Sequence, residues 1–314
     1  MNVVLHYAAG RDLSARLAAV AGEGLVIEVC AEDDDARLAT LLPEMDVLWH
    51  VLRPVTTEMI AAAPNLRLIQ KIGVGVNTID LAAAQRRGIA VCNLPGTNAP
   101  AVAELTLALM LAAMRRLPMF DAAMRRGEGF ALDPAAKDGI NELGGRTVGL
   151  VGYGAVPRVL SPVLSALGCR VLYTARSPRP DAMASYRTLP DLLAESDVLS
   201  LHVPLTAETE RMIDAAALAR VKPGAVLVNT ARGGLVDEPA LIAALRSGRL
   251  AAAGLDVFAE EPLDPSSALL SLPNVVLTPH VAWLTTGTFD RSFALAAENC
   301  RRLAAGAALL HQVV

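Results

Sequence analysis

The stretch VGLVGYGAVPRVL combines residue types that can bind a phosphate group. In a G-x-G-x-x-G fingerprint the first glycine, here Gly152, permits a tight turn, and the second, Gly154, lets the backbone approach a pyrophosphate. The N–H groups of Ala155 and Val156 would face that anion at the start of a helix. Pro157 replaces the third glycine, but in a first helical turn its missing N–H has no intrahelical partner to lose. The stretch therefore predicts a cofactor site in preference to a plain structural turn.

The end of the following predicted strand, in YTARSPR, indicates which dinucleotide would fit. Folds that select NAD usually place Asp or Glu there for the ribose 2′-hydroxyl. This chain has no acid there before Asp181, and Arg176 and Ser177 stand where a 2′-phosphate would lie. An arginine pairs with phosphate in a forked geometry, and a hydroxyl adds a hydrogen bond. The alternative is a plain loop arginine; we expect NADP as the preferred cofactor, with NAD as the second choice.

Two series of short apolar runs must position these residues. The first series consists of residues 2–7, 25–30, 46–51, 66–73 and 89–93. The second consists of residues 147–152, 170–175, 197–203, 225–231, 251–258 and 274–280. Alanine-rich helical segments lie between the runs, and strands that alternate with helices predict parallel sheets. The sequence therefore predicts an α/β protein with two domains, followed by a last helix over about residues 286–310.

A crossover separates the two series. The turn-rich segment NLPGTNAP, residues 93–100, precedes a helix that runs to about Arg116 and is apolar on nearly every side except at Glu104 and Thr106. A helix of this kind must be buried, either in a domain junction or in a subunit interface.

Composition argues against several classes of protein. The chain has 314 residues, of which 53% are hydrophobic and 19% charged, so it is globular rather than disordered. The formal net charge is −4, and no basic block suggests a nucleic-acid partner. The first residues lack the features of an export signal, and the apolar segment 101–114 is too short to span a membrane. The four cysteines are far apart in the sequence, which favours reduced thiols in a cytoplasmic protein without a metal site.

Several motifs in order resemble the D-isomer-specific 2-hydroxyacid dehydrogenase family over nearly the whole chain. The matching stretches are KIGVGVNTID, NLPGTNAPAVAELTLALML, VGLVGYGAVPR, LHVPLTAETERMI, VNTARGGLVDEPAL, GLDVFAEEPL and LTPHVAW. The resemblance implies two Rossmann-like domains with parallel sheets. It also implies a discontinuous substrate domain at residues 1–95 and 286–314 and a dinucleotide-binding domain at residues 96–285.

The same resemblance implies a catalytic set of arginine, glutamate and histidine, which falls on Arg232, Glu261 and His280. Hydride transfer to a 2-oxo acid leaves an alkoxide that needs a proton, and histidine titrates near neutral pH. A carboxylate beside the histidine favours its protonated form, and an arginine holds the substrate carboxylate and polarises the carbonyl. Taken singly, each residue has a structural alternative: a turn arginine, a surface glutamate or a strand-end histidine.

Further binding residues are implied by the same motifs. On the cofactor side they are His202, Pro204, Thr230, Ala231 and Asp256. The alternative for His202 is a plain buried histidine. On the substrate side the N–H groups of Gly73, Val74 and Gly75 would cradle a carboxylate, unless this segment is only a tight turn. Trp283 stands where many members have glycine and should reshape the substrate pocket.

The resemblance implies the reduction of a small 2-oxo acid, with glyoxylate and hydroxypyruvate as the first candidates and a D-2-hydroxy acid as the product. Phosphoglycerate oxidation is less favoured, because the sequence has no C-terminal regulatory domain and no acidic residue for the ribose. The alternative from another functional class is a non-catalytic protein that senses a dinucleotide. Such relatives can keep the catalytic residues, so their presence in the sequence does not exclude this alternative. The apolar helix over 101–116 and dimerisation of the family through this region imply a homodimer with Leu109 in the interface.

Overall fold

The computed structural model describes residues 1–22 and 24–314, and the chain divides into two compact units. The first unit comprises Met1–Asn98 and Leu284–Val314, and the second comprises Ala99–Trp283. Each unit is built on a parallel sheet whose strands alternate with helices along the chain. The predicted α/β fold class is therefore confirmed.

The first unit contains a five-stranded sheet with helices between its strands. The strands are β1 (Asn2–His6), β2 (Val26–Cys30), β3 (Val47–His50), β4 (Leu68–Lys71) and β5 (Ala90–Cys92). The helices are α1 (Arg11–Ala21), α2 (Asp35–Leu41), α3 (Thr57–Ala62), α4 (Leu81–Arg86) and α12 (Thr286–Ala304). The strand order is β2-β1-β3-β4-β5. Every residue of β3 and β4 is buried, as expected for parallel strands with both faces covered.

Helix α12 packs on this first sheet, which explains why it needs no strand of its own. Phe293 of α12 stacks on Trp49 of β3 with ring centroids 5.5 Å apart. On the same helix, Asn299 Nδ2 donates to Gln70 Oε1 at 2.7 Å. The helix therefore buries an apolar face and one satisfied polar contact against the sheet.

The end of α12 differs from the expected helix over 286–310. The helix stops at Ala304, and Gly306 follows in the left-handed region with a φ of 65°. Glycine adopts this conformation without strain and commonly ends a helix. The terminal residues then return to β5, where Val313 N–H donates to Val91 O at 2.7 Å.

The second unit contains a seven-stranded parallel sheet. Its strands are β6 (Thr147–Val151), β7 (Arg170–Thr174), β8 (Ser185–Tyr186), β9 (Val198–Leu201), β10 (Ala225–Asn229), β11 (Leu250–Leu255) and β12 (Val275–Leu277). Its helices are α5 (Ala99–Met114), α6 (Leu117–Arg125), α7 (Pro134–Lys137), α8 (Ala155–Ala166), α9 (Leu189–Glu195), α10 (Ala215–Arg220) and α11 (Glu238–Arg246). The strand order is β12-β11-β10-β9-β6-β7-β8.

Helix α5 is buried against the sheet of its own unit. Leu109 is 2% exposed, and a Cβ added at Gly254 of β11 would lie 2.9 Å from the Cβ of Leu109. The sequence correctly predicted that this helix must be buried. The expectation that Leu109 faces a partner subunit was wrong, because the apolar face of the sheet already covers it.

Three further observations concern membrane-spanning helices, metal sites and the cysteines. Within the described part of the chain, no helix is both long enough and apolar enough to cross a membrane. Over the same residues, no three side chains of the histidine, cysteine, aspartate or glutamate type are grouped so that they could hold a metal ion. The cysteines Cys30, Cys92, Cys169 and Cys300 are free and buried.

Candidate active site

The glycine turn of the second unit follows β6 at the carboxyl edge of the sheet. Gly152 has a φ of 102°, and a Cβ there would lie 2.7 Å from His202 O, so only glycine fits this close approach. Gly154 is the N-cap of α8, and a Cβ added to it would meet no atom within 4 Å. Ala155 and Val156 occupy the first two positions of α8, where N–H groups have no intrahelical partner. These features fit the phosphates of a dinucleotide.

Pro157 is buried in the first turn of α8, as the sequence pattern predicted. Its position removes no intrahelical hydrogen bond, because the donors of the first turn have no partner within the helix. Its carbonyl oxygen accepts a hydrogen bond of 2.6 Å from Ser161 Oγ. The departure from the third glycine therefore leaves the N–H groups at the start of the helix unchanged.

The loop after β7 carries the residues expected at a ribose 2′-phosphate. Arg176 and Ser177 are both exposed at the carboxyl end of this strand. Exposed Glu208 lies near Arg176, whose charge helps to lower the pKa of this carboxyl. The hydrogen bond from Thr206 is the larger cause of that shift.

The segment after β10 holds Arg232 by contacts with its own main chain. Asn229 Oδ1 accepts from Ala231 N at 3.0 Å, and Asn229 Nδ2 donates to Arg232 O at 2.9 Å. Thr230 Oγ1 lies 2.8 Å from Thr106 Oγ1 of α5, at hydrogen-bond distance. A Cβ at Gly233 would lie 1.9 Å from the carbonyl carbon of Phe258, so this chain segment needs glycine to pass so close.

Two of these supporting residues, Thr106 and Asn229, were not assigned a role from the sequence. Thr106 did give a signal, because it is one of two polar exceptions in an otherwise apolar helix. Its hydroxyl also donates to Val102 O at 2.7 Å, as threonines within helices often do.

His280 and Glu261 form a hydrogen-bonded pair. His280 Nδ1 donates to Glu261 Oε2 at 2.7 Å, and Phe258 N–H donates to Glu261 Oε1 at 3.0 Å. Burial alone would raise the pKa of Glu261, but these two hydrogen bonds and the charges of His280 and Arg232 outweigh it and lower the pKa. The glutamate is therefore a carboxylate at neutral pH, and it stabilises the protonated imidazole.

Arg232 is half-buried beside this pair. Burial lowers the pKa of its guanidinium, while the charge of Glu261 opposes the shift. Arginine stays protonated in proteins even so. The geometry of the second unit thus brings Arg232, Glu261 and His280 into one electrostatic group.

The backbone of His280 lies in the left-handed region with a φ of 53°, which costs energy for a residue with a Cβ. Its N–H donates to Asp256 O at 2.8 Å, and its carbonyl accepts from Trp283 Nε1 at 3.0 Å. The loop on both sides of this histidine is thereby fixed.

Asp256 and Trp283 are both buried next to the loop of His280. Asp256 is completely buried and accepts hydrogen bonds from Thr278 Oγ1 at 2.6 Å and from the N–H groups of Val281 and Ala282, each at 2.9 Å. Burial raises the pKa of Asp256, while these hydrogen bonds act in the opposite direction. Trp283 is 9% exposed. Both side chains hold the loop that carries the histidine.

His202 lies at the end of β9 and is paired within its own strand. Its Nε2 is 2.9 Å from Ser200 Oγ, and burial lowers the pKa of the imidazole to about 3. It is therefore neutral at physiological pH. Pro204 follows in an exposed position.

The proposed carboxylate cradle belongs to the first unit. Gly73 has a φ of 151°, and its carbonyl accepts from Leu94 N at 2.8 Å. Val74 is 44% exposed, and its carbonyl accepts from Asn93 Nδ2 at 2.8 Å. The carbonyl groups of Gly73 and Val74 are thus occupied. The N–H groups of the turn, including that of Gly75, are the candidates for binding an anion.

Known proteins are similar to this chain over most of its length. The family described as "D-isomer specific 2-hydroxyacid dehydrogenase, NAD binding domain" matches residues 107–282. A glyoxylate reductase of Aeropyrum pernix is 43% identical over 84% of this chain and 81% of its own length. A hydroxypyruvate reductase of Thermotoga maritima is 40% identical over 81% and 84% of the two chains. A D-3-phosphoglycerate dehydrogenase of Mycobacterium leprae is also 40% identical, but the chain spans only 55% of its length.

Solved structures are similar over the whole chain. The TT0316 protein from Thermus thermophilus has a TM-score of 0.89 and 38% identity, with 100% of both chains covered. A glyoxylate reductase from Paecilomyes thermophila has a TM-score of 0.83 and 29% identity, covering 100% of this chain and 98% of its own.

A parallel sheet with a glycine turn at its carboxyl edge and a histidine–glutamate pair nearby is typical of a dinucleotide-dependent dehydrogenase. The chain belongs to the D-isomer specific 2-hydroxyacid dehydrogenase family. It is an oxidoreductase that uses a nicotinamide dinucleotide.

Proposed function

We propose that this enzyme reduces a small 2-oxo acid to the D-2-hydroxy acid, with glyoxylate and hydroxypyruvate as its substrates. The observation that carries the proposal is the 2.7 Å hydrogen bond from His280 Nδ1 to Glu261 Oε2, which leaves the second ring nitrogen to act as a proton donor. Relatives named glyoxylate reductase and hydroxypyruvate reductase share 43% and 40% identity with the chain, which supports the substrate class.

Each side chain of the proposed catalytic set has one role. A bound dinucleotide would supply the hydride for the carbonyl carbon of the substrate. His280 donates the proton from Nε2 to the carbonyl oxygen, and Glu261 stabilises the imidazolium form that does so. Arg232 pairs with the substrate carboxylate and polarises the carbonyl group. Because Arg232 is half-buried, this charge is weakly screened by water.

Substrate and cofactor are assigned to different parts of the chain. We assign the substrate carboxylate to the N–H groups of Gly73, Val74 and Gly75, in the substrate domain expected at residues 1–95 and 286–314. The dinucleotide is assigned to the domain expected at residues 96–285, with its pyrophosphate at Gly152 and Gly154. The exposed carboxyl end of β7 supports NADP over NAD, since Arg176 and Ser177 can meet a 2′-phosphate. His202, Pro204, Thr230, Ala231 and Asp256 complete the proposed cofactor side, with Asp256 acting through the loop that it holds.

A homodimer is proposed for the second unit. Leu117 and Met124 of α6 are 53% and 52% exposed, and Phe130 after this helix is 92% exposed. Large apolar side chains exposed together favour an interface with a second copy of the chain. Phe130→Asp should yield the monomer mass in light scattering, whereas Arg125→Asp on the same helix, at 78% side-chain exposure, is a control for added charge. A dimer that survives the Phe130 change would contradict this interface.

A turnover assay tests the function directly. Glyoxylate, hydroxypyruvate, pyruvate and phosphohydroxypyruvate are supplied in turn with NADPH and with NADH, and oxidation of the dinucleotide is followed. We expect the highest kcat/KM with glyoxylate or hydroxypyruvate and NADPH. The highest value with phosphohydroxypyruvate would instead favour the phosphoglycerate-type alternative. Tight dinucleotide binding without turnover of any 2-oxo acid would favour the dinucleotide-sensing alternative.

The cofactor preference has its own test. Arg176→Ala should raise the Kd of NADPH about tenfold and leave that of NADH within about twofold, because a lost charge-assisted hydrogen bond costs about 1.5–3 kcal/mol. Calorimetric titration of both dinucleotides measures the two constants. An equal rise for both would contradict the preference for NADP.

A further inference from the structure

A salt bridge closes the loop where the dinucleotide ribose is expected. Arg158, in the second turn of α8, reaches Asp181 in the loop after β7. Its Nη1 lies 2.5 Å from Asp181 Oδ2, and its Nη2 lies 3.3 Å from Oδ1, so that the guanidinium engages both carboxylate oxygens. The two side chains are 41% and 61% exposed, and a ligand can therefore reach them.

Two tyrosines, one of them in the glycine turn, hold the loop that carries this salt bridge. Tyr153, between the two glycines of the fingerprint, accepts a hydrogen bond from Met183 N at its hydroxyl, at 2.9 Å. Tyr173 of β7 accepts from Arg179 N at 2.6 Å. The guanidinium carbon of Arg158 also lies 5.5 Å from the centroid of the Tyr153 ring, which is a cation–π contact. Asp181 is thus held beside the turn that is expected to bind the pyrophosphate.

Asp181 is the only acidic residue between Thr174 and Met183, and this segment carries two arginines, Arg176 and Arg179. The hydrogen bond from Arg158 is the largest cause of the lowered pKa of Asp181, which is therefore ionised at neutral pH. Asp181 lies in the loop beyond the end of β7. A carboxylate in the loop where the ribose is expected would attract the 2′-hydroxyl of NAD and repel a 2′-phosphate. Arg158 cancels that charge and leaves the loop positive.

We propose that Arg158 is a specificity-determining residue, which neutralises Asp181 and so allows the loop to accept the 2′-phosphate of NADP. This inference rests on the proposed preference for NADP. It assigns the selectivity for NADP over NAD to Arg158 on helix α8 as well as to Arg176 in the loop after β7. Because an exposed ion pair contributes little to stability, substitution of Arg158 tests ligand binding with little effect on folding.

A double-mutant cycle tests the proposal through binding. Arg158→Gln should raise the Kd of NADPH about tenfold and leave that of NADH within about twofold, because an uncompensated carboxylate acts on the 2′-phosphate alone. Asp181→Asn should leave NADPH binding unchanged or tighten it. The Arg158→Gln/Asp181→Asn double variant should return the Kd of NADPH to within about threefold of the wild-type value, since the repelling charge is gone.

Adenosine 2′,5′-bisphosphate and AMP serve as probes that lack the nicotinamide, so the readout is independent of turnover. The matched control is Arg170→Gln at the opposite end of β7, where Arg170 forms an ion pair of 2.6 Å with Glu195 and is 53% exposed. This control should change neither Kd. Equal weakening of both probes by Arg158→Gln, no weakening of either, or failure of the double variant to recover would each overturn the proposal.

A wrong role for Arg158 can be distinguished experimentally from a wrong preference for NADP. Arg176→Ala reports on that preference without touching the Arg158–Asp181 pair. If Arg176→Ala weakens NADPH selectively and Arg158→Gln does not, only the role of Arg158 is wrong. If neither variant changes the selectivity, both the preference and this inference are wrong.

Discussion

The carboxyl edges of the two sheets both carry basic side chains, but these side chains are placed in opposite ways. In the first unit, His6, His50 and Lys71 end three neighbouring strands and are aligned in register. All three are at least 94% buried, with exposures of 1%, 0% and 6%. Lys71 Nζ donates to Val51 O, and His50 Nε2 donates to Arg53 O at 2.8 Å. Burial, assisted by the charge of Lys71, lowers the pKa of His50 to about 3.

In the second unit, the edge carries His280 with its side chain 23% exposed and Glu261 with its side chain 36% exposed. Here a carboxylate accompanies the imidazole, whereas His50 Nε2 lies beside a main-chain carbonyl and the Thr78 hydroxyl. A neutral histidine without a path to solvent cannot exchange protons, while a partly exposed one beside a carboxylate can. A basic residue at a strand end can therefore donate or accept protons only where its side chain is accessible.

The largest expected effect separates the two histidines most clearly. His280→Asn should lower kcat about a thousandfold, in the range typical for loss of a general acid, with dinucleotide affinity unchanged. Asparagine is chosen because it tolerates the left-handed backbone at this position better than alanine. Stopped-flow turnover and a fluorescence titration of the dinucleotide measure the two quantities. Turnover near the wild-type rate would remove His280 from the mechanism.

The role of the carboxylate is tested next. Glu261→Gln should lower kcat about a hundredfold and move the alkaline fall of the reduction rate to lower pH. The sign follows from the chemistry: reduction needs the protonated imidazole, and a neutral amide stabilises that form less than a carboxylate does. The pH profile of kcat from pH 5 to 9 shows the shift. A profile that keeps its position would mean that the glutamate only fixes the geometry.

A smaller effect is expected for Trp283→Phe, which keeps the aromatic ring and removes the hydrogen bond to His280 O. Loss of one hydrogen bond costs about 0.5–1.5 kcal/mol, so kcat should fall about three- to tenfold while the KM of the dinucleotide stays constant. Trp49→Phe is the same substitution in the first unit, where Trp49 stacks on Phe293, and it should leave kcat unaltered. Equal losses in both variants would indicate a general effect of packing.

The smallest effect on turnover is expected for His50→Leu. Because His50 is buried and neutral, kcat should stay within about twofold of wild type. The free energy of unfolding should change by about 1 kcal/mol, the net contribution of one hydrogen bond. Urea denaturation and the glyoxylate assay measure the two effects. A large loss of turnover in a stable His50 variant would break the comparison between the two edges.

Much of the fold follows from the sequence pattern alone. The apolar runs of both series correspond to strands β1–β7 and β9–β12, because β-branched runs between helical segments are local signals. Strand β8 was not predicted, since two residues in Ser185–Tyr186 carry no period. Helix α12 was extended too far, because Gly306 was not considered as its stop.

The candidate site was only partly readable in the sequence. The glycine turn and the proposed catalytic set were found by motif, but the hydrogen-bond partners of Asp256 and Trp283 could not be predicted. Asp256 binds the N–H groups of Val281 and Ala282, more than twenty residues further along the chain. The salt bridge of Arg158 with Asp181 joins residues 23 positions apart, and Asp181 lies outside the motifs that carry the resemblance.

The sequence by itself determined the order of strands and helices, the glycine turn and the residue types available for chemistry, because these depend on spacing between near neighbours. Only the tertiary structure decided which of several histidines is partly exposed beside a carboxylate, which face of α5 is covered, and which arginine meets Asp181. Burial and the distance between charges arise when remote segments pack together, and these two quantities govern the ionisation of each side chain.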